Sequence, residues 1–178
     1  MNAYKATDNC KLFKVGNIYS VHGKLKLCEN GYHFCAEAKH TLSYYPWNKN
    51  FHLMRIEVMG EVVGDSYKFA SNKIKVVNIF SREEACNILG IVETLDCFGN
   101  VIYFKNTDWE YWQKFDERGN VIYFKNRIGH EEWNEYDSEN NLIHSINKRE
   151  KNGSGMEVSQ VFHGKVLVSK SISVIKGK

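Results

Sequence analysis

Gly99-Asn-Val-Ile-Tyr-Phe-Lys-Asn106 returns without a change as Gly119-Asn-Val-Ile-Tyr-Phe-Lys-Asn126, and this repeat decides how the chain is read. The flanks repeat as well. Trp112-Gln-Lys-Phe-Asp116 is answered by Trp133-Asn-Glu-Tyr-Asp137, while Leu95-Asp96, Phe115-Asp116 and Tyr136-Asp137 open successive units. The period is 20 to 21 residues, which is the mark of one supersecondary unit copied and stacked. Each unit holds two runs rich in aromatic and β-branched residues, such as Val121-Ile-Tyr-Phe124 and Trp133-Asn-Glu-Tyr136, and these suit a pleated, half-buried surface. Between the runs lie Asp116-Glu-Arg-Gly-Asn120 and Arg127-Ile-Gly-His130, where glycine and asparagine accept the positive φ of a tight turn. The expectation over residues 93–178 is therefore an antiparallel β-meander, one hairpin per unit. Trp112 and Trp133 should occupy equivalent strand positions, as should Val101 and Val121. Exposed outer strands of such a sheet can pair between chains, so a homodimer is expected.

Residues 1–92 lack this repeat and read as a small α+β domain. Ala3–Ala6 opens it as a strand, Lys14–Tyr19 turns into a second extended segment, and Leu25–Cys28 and Tyr32–Cys35 flank the turn at Glu29-Asn30-Gly31. A helix is expected from Ala36 to Tyr45, stopped by Pro46 because the residue before a proline is disfavoured in the helical region. Phe51–Val58 and Glu61–Val63 read as strands broken at Gly60, and Lys73–Phe80 is apolar enough for an interior strand. Ser81-Arg-Glu-Glu84 has the spacing of a capping box, with the helix after it ending near Gly90. At the other end of the chain, Asn152-Gly-Ser-Gly155 reads as a turn, and His163-Gly164 as the turn of a last hairpin.

The composition bounds what such a chain does. With 178 residues, 43% of them hydrophobic, one proline and no low-complexity segment, it can bury a core in one domain or two small ones. The first residues lack the apolar run of a signal peptide and no stretch reaches the length of a membrane span, so a cytoplasmic protein is expected. Five cysteines, an odd number, suit reduced thiols better than a disulfide framework. The net charge of +3 falls in the first half, since the second carries as many acidic as basic side chains. That surplus is small beside the basic footprint of a nucleic-acid binder, which argues against direct nucleic-acid binding. No Gly-rich phosphate loop, Gly-x-Ser-x-Gly elbow or Ser, His and Asp arrangement is present.

The segment Leu27-Cys-Glu-Asn-Gly-Tyr-His-Phe-Cys35, with the opening Tyr4-Lys5, Tyr44-Tyr45, Arg55-Ile-Glu-Val58 and Gly60-Glu-Val62, resembles an uncharacterised family of phage and prophage proteins over roughly residues 3–85. The resemblance implies a phage origin and a host cytoplasm as the place of action. Residues 94–147 are similar to the Tyr-Asp repeats of Rhs-type proteins, although three copies are too few for the closed shell those proteins build.

Three sets of residues carry candidate chemistry. Cys28, His33 and Cys35, with Cys10 available as a fourth ligand, offer thiolates and an imidazole to zinc, but the Cys-x2-Cys knuckle of a structural site is missing. Buried cysteine is more often a small core residue, so no metal is expected. The order of Tyr4-Lys5, Gly31-Tyr-His-Phe34 and Tyr44-Tyr45 resembles the split-sheet ADP-ribosyltransferase fold. That resemblance implies a cleft for NAD, fixed by Lys5 or His33, stacked on Tyr44 or Tyr45, with Glu57 or Glu61 stabilising the developing cation. The third set is Trp109, Tyr111, Trp112, Trp133 and Tyr136, more aromatic surface than a thin sheet hides. Such residues anchor protein interfaces. Glu110, Asp116, Glu117, Glu131, Glu132, Glu135 and Asp137 surround them, a fringe that suits a basic partner. The leading expectation is a phage-encoded binding protein that blocks a host or defence protein, in its most concrete form an anti-CRISPR-like inhibitor of a defence nuclease working without a cofactor. The alternative is an NAD-dependent mono-ADP-ribosyltransferase.

Overall fold

A computed structural model describes residues 2–151, 154–163 and 165–175, without the side chains of Cys10 and Lys151. The expected turns at residues 152–153 and at residue 164 lie outside it. The chain divides into two compact units, Met1–Ile91 and Val92–Lys178. Antiparallel sheet dominates both, so the mixed character expected of the first unit reduces to one eight-residue α-helix and two short 3-10 turns among the described residues.

The N-terminal unit holds β1 (Asn2–Thr7), β2 (Ile18–Ser20), β3 (Tyr32–Phe34), β4 (His52–Val58), β5 (Val62–Gly64), β6 (Phe69–Ser71), β7 (Lys73–Ile79) and α1 (Arg82–Leu89). They form a four-stranded sheet in the order β1-β4-β7-β2 and a three-stranded sheet in the order β3-β6-β5. Among the described residues one bridge ties the two, with the Tyr4 and Cys35 amides donating to each other's carbonyls at 2.9 and 2.8 Å. The alternation of β4 and β7 turns Met54, Ile56, Ile74 and Val76 inward against Ala3 and Phe34, all fully or almost fully buried. Burying each large side chain contributes about 1.5–3 kcal/mol, which makes the two central strands the backbone of this unit. The Ser81 hydroxyl accepts from the Glu84 amide and the Glu84 carboxylate from the Ser81 amide, so the capping box forms as its spacing requires. Gly90 closes the helix at φ 64°.

Two expectations fail here. Leu25–Cys28, expected to flank a turn at Glu29-Asn30-Gly31, instead runs into it: the turn spans residues 27–29 and is closed by the Lys26 and Asn30 backbone. The helix expected over residues 36–45 is a 3-10 turn, Ala38–Ser43. Its Thr41 hydroxyl donates back to the Ala38 carbonyl at 2.6 Å, a local bond that competes with the α-helical ladder.

The second unit is one eight-stranded antiparallel meander. Its strands are β8 (Val92–Leu95), β9 (Val101–Lys105), β10 (Glu110–Phe115), β11 (Val121–Asn126), β12 (His130–Tyr136), β13 (Leu142–Lys151), β14 (Ser154–His163) and β15 (Val166–Ile175), each paired with its neighbours in sequence. The repeat appears as identical local chemistry at three turns. The carboxylates of Asp96, Asp116 and Asp137 each accept from the backbone amides two and four residues on, and from the side-chain amide of Asn100, Asn120 and Asn141. Gly99 and Gly119 take φ values of 78° and 85°, and in the third turn Asn140 fills the same place at 66°, because asparagine tolerates the left-handed region better than other side chains. A β-bulge precedes each aspartate, at Thr94/Leu95, Lys114/Phe115 and Glu135/Tyr136.

These turns set an acid limit. The Asp116 and Asp137 carboxyls are held below the ordinary aspartate value of 3.8, first by their asparagine side chains and then by backbone amides. A carboxylate depressed by folding contributes stability that is complete above its unfolded pKa and lost as pH falls through the folded one. Thermal melts should therefore show the sheet weakening as pH drops below 3.8. Asp116→Asn/Asp137→Asn should flatten that acid limb, and a double variant with the full wild-type acid dependence would contradict the assignment.

Candidate functional site

In the N-terminal unit the 3-10 turn, β1, β3 and the Asp65–Lys68 turn enclose a cleft of about 240 Å³. Tyr4, Cys28, His33, Tyr44, Tyr45 and Lys68 supply its chemically active lining, and no aspartate or glutamate is among its lining residues. The Asp65 carboxylate accepts from the amides of Tyr67 and Lys68 and so fixes the turn that delivers Lys68. The Lys68 ammonium lies 3.4 Å from the Cys28 thiol and 4.5 Å from the centre of the Tyr44 ring. Cys28 has the left-handed φ of 68°, a conformation that costs of order 1–3 kcal/mol in a residue with a side chain. Its amide donates to His33 Nε2 at 2.8 Å, which leaves the neutral imidazole with its proton on Nδ1. Burial first, then the charges of Lys68 and Lys5, hold His33 below its ordinary pKa.

Lys5 is almost completely buried, donates to the His33 carbonyl at 3.2 Å and has its pKa lowered to about 8, chiefly by burial. Cys35 is buried too, and burial is the main reason its thiol is pushed up. The structure thus brings together His33, Tyr44 and Tyr45, with Lys5 behind the cleft rather than in its lining. Glu61 does not join them. Its amide donates to Asn72 Oδ1 and its neighbours Met59 and Gly60 to the Lys73 carbonyl, so the chain turns the acid onto the corner after β4. Among the described residues no three histidine, cysteine, aspartate or glutamate side chains converge to hold a metal ion, Cys28, His33 and Cys35 included. Lys68 escaped the reading of the sequence because it closes the turn before β6, a strand of three residues with no periodic signal. The pairing of β3 with β6, His33 opposite Ala70, brings it near.

The repeat unit presents a different kind of surface. Trp112 pairs with Tyr103 across β9 and with Lys125 across β11, while Trp133 pairs with Tyr123, which in turn faces Lys114. Those residues share one face of the sheet, since directly opposed residues of adjacent strands point the same way. Tyr103 and Trp112 have ring centres 5.5 Å apart, and Tyr123 and Trp133 repeat the same 5.5 Å, so two copies of one aromatic pair stand side by side. Trp112 and Trp133 remain 39% and 37% exposed. The other face stacks Phe104, Tyr111 and Phe124 at 4.9 and 5.7 Å, with His130 at 5.7 Å beyond.

The five expected anchors are divided accordingly. Trp112 and Trp133 share a face, Tyr111 lies on the opposite one, and Trp109 stands in the turn before β10, where its amide donates to Asn106 Oδ1. The Tyr136 phenol donates to the Val121 carbonyl, the same acceptor used by the buried Asn134 amide. Nor is the carboxylate fringe a free negative charge. Glu110 pairs with Lys105 and Glu131 with Lys125, at 3.6 and 2.8 Å, while Asp116 and Asp137 are occupied by their turns. On the Trp112 and Trp133 face Lys105 and Lys125 thus stand beside Glu110 and Glu131.

Residues 1–88 match a domain of unknown function, DUF7666. That match takes in the whole cleft and stops short of the repeat sheet. No curated protein and no solved structure matches the chain. No helix among the described residues is long and apolar enough to cross a membrane.

Proposed function

We propose that this chain is a protein-binding module that acts by occupying its target, and that the Trp112 and Trp133 face of the repeat sheet is the recognition surface. The observation that carries the reading is the regular display of two identical aromatic pairs, Tyr103 with Trp112 and Tyr123 with Trp133, on one half-exposed face. Tyrosine and tryptophan contribute contact area at low entropic cost, and interface energy concentrates in a few such anchors. A strand-borne pair is also positioned more rigidly than one on a loop. The resemblance to phage and prophage proteins makes the target a host or defence protein in the host cytoplasm, most concretely a defence nuclease inhibited in the manner of an anti-CRISPR protein.

A second reading, an NAD-dependent mono-ADP-ribosyltransferase, draws support from the shared cleft of His33, Tyr44 and Tyr45. The cleft lining supplies no carboxylate to stabilise an oxocarbenium ion, and Glu61 is outside it. Titration of a defence nuclease separates the two readings. Inhibition that ends at an equimolar ratio and is indifferent to NAD fits occupation of the target; inactivation by substoichiometric protein that requires NAD would establish the enzyme.

A further inference from the structure

The sheet's two edges are treated very differently. β8 is a four-residue edge that includes Glu93, whereas β15 is a ten-residue edge with no proline and one charged residue, Lys170. Its apolar side chains are in the open: Val166, Val168, Ile172 and Val174 are between 58% and 73% exposed. Among the described residues no strand covers its outer side, whose amides and carbonyls are left without ladder partners. A long, apolar, unpaired edge of this kind templates the addition of another strand.

The sequence of the edge specifies which strand. Leu167-Val-Ser-Lys-Ser-Ile-Ser-Val-Ile175 reads nearly the same in both directions about Ser171. Antiparallel pairing of two copies through that residue sets Leu167 against the partner's Ile175, Val168 against the partner's Val174 and Ser169 against the partner's Ser173. Lys170 then meets the partner's Ile172 instead of a second lysine. Matched apolar and hydroxyl pairs stabilise an antiparallel ladder, while opposed like charges destabilise it. A twofold contact must be self-complementary, each residue meeting its counterpart's mirror position, and this nine-residue stretch has that property. We propose that β15 is a self-association edge on which a second copy of this chain adds its own β15, joining two sheets into one through a twofold axis at Ser171. This contact is independent of how the target is bound. It closes at two copies, because each β15 edge is consumed by the other.

Sedimentation equilibrium of the whole chain and two charge variants tests the register. Val168→Lys/Val174→Lys places lysine opposite lysine twice and should give a monomer with an unchanged circular dichroism spectrum. Val168→Glu/Val174→Lys alters the same two exposed positions but opposes unlike charges, and should restore the dimer. Ser171→Cys should form a covalent dimer on oxidation, since a twofold pair brings Cα atoms within disulfide range, whereas Ser169→Cys, displaced from the axis, should behave as the unsubstituted chain does. A monomeric wild type, growth beyond two copies, equal behaviour of the two charge variants, or equal cross-linking at Ser169 and Ser171 would each overturn the proposal.

Discussion

Trp133→Ala is expected to weaken binding to the target roughly 30-fold or more, about 2 kcal/mol, while leaving the melting temperature of the chain unchanged. The two effects separate because Trp133 is 37% exposed and its ring leans on Tyr123 rather than filling a core. Its strand is held in place by other residues. β12 is paired along its length to β13 and its Asn134 is buried on the opposite face. Tyr111→Ala is the matching control, since Tyr111 stacks between Phe104 and Phe124 on the far side of the sheet. That variant should lose stability first and binding only as a consequence, because removing a large packed aromatic costs up to about 3–5 kcal/mol. Each variant has to be melted as well as assayed. Binding losses that always track stability losses would reduce the sheet to a scaffold.

Lys5→Met should stabilise the N-terminal unit by about 2 kcal/mol near neutral pH. Burial lowers Lys5 from 10.5 to about 8, and at 1.36 kcal/mol per unit the charged form is disfavoured on folding by roughly 3 kcal/mol. Loss of the hydrogen bond to the His33 carbonyl takes back about 1 kcal/mol. The sign follows from the depressed pKa of a base: the unfolded chain binds more protons between the two values, so the penalty is complete below pH 8 and fades as pH rises toward 10.5. The gain from methionine should accordingly be largest at pH 7 and give way to a slight loss at about pH 10.5, where the missing hydrogen bond is no longer offset. A variant no more stable than wild type at pH 7 would contradict the picture of a lysine buried without a carboxylate. The same variant asks whether the cleft matters for binding at all.

How far the fold was legible depended on how local its causes are. The repeat could be read because each turn is written in its own residues: an aspartate, a left-handed glycine or asparagine, and an asparagine whose amide returns to the aspartate. The capping box at Ser81 and Glu84 was legible for the same reason. The bulges before each aspartate were not, since a bulge is a property of two strands and not of one sequence. In the N-terminal unit β3 and β5 were legible within a residue or two, whereas β6, with three residues, is too short for alternation to register and went unread.

The candidate site divides along the same line. His33, Tyr44 and Tyr45 could be assigned to one cleft, but Lys68 could not, because a β3 to β6 pairing across more than thirty residues delivers it. Glu61 was placed with them on chemical grounds alone, and the Gly60 corner turns it elsewhere. On the sheet, the aromatic residues were all visible, whereas their division between faces follows from the period of two that the register imposes on Tyr111 and Trp112.

The most direct test of the recognition surface is an inhibition assay on the whole chain, comparing Trp112→Ala/Trp133→Ala with His33→Ala/Tyr45→Ala, both confirmed folded by circular dichroism. Loss of inhibition in the tryptophan variant together with full inhibition by the cleft variant is the predicted result. Full inhibition by the tryptophan variant, with loss in the cleft variant, would contradict the account and move function to the N-terminal domain.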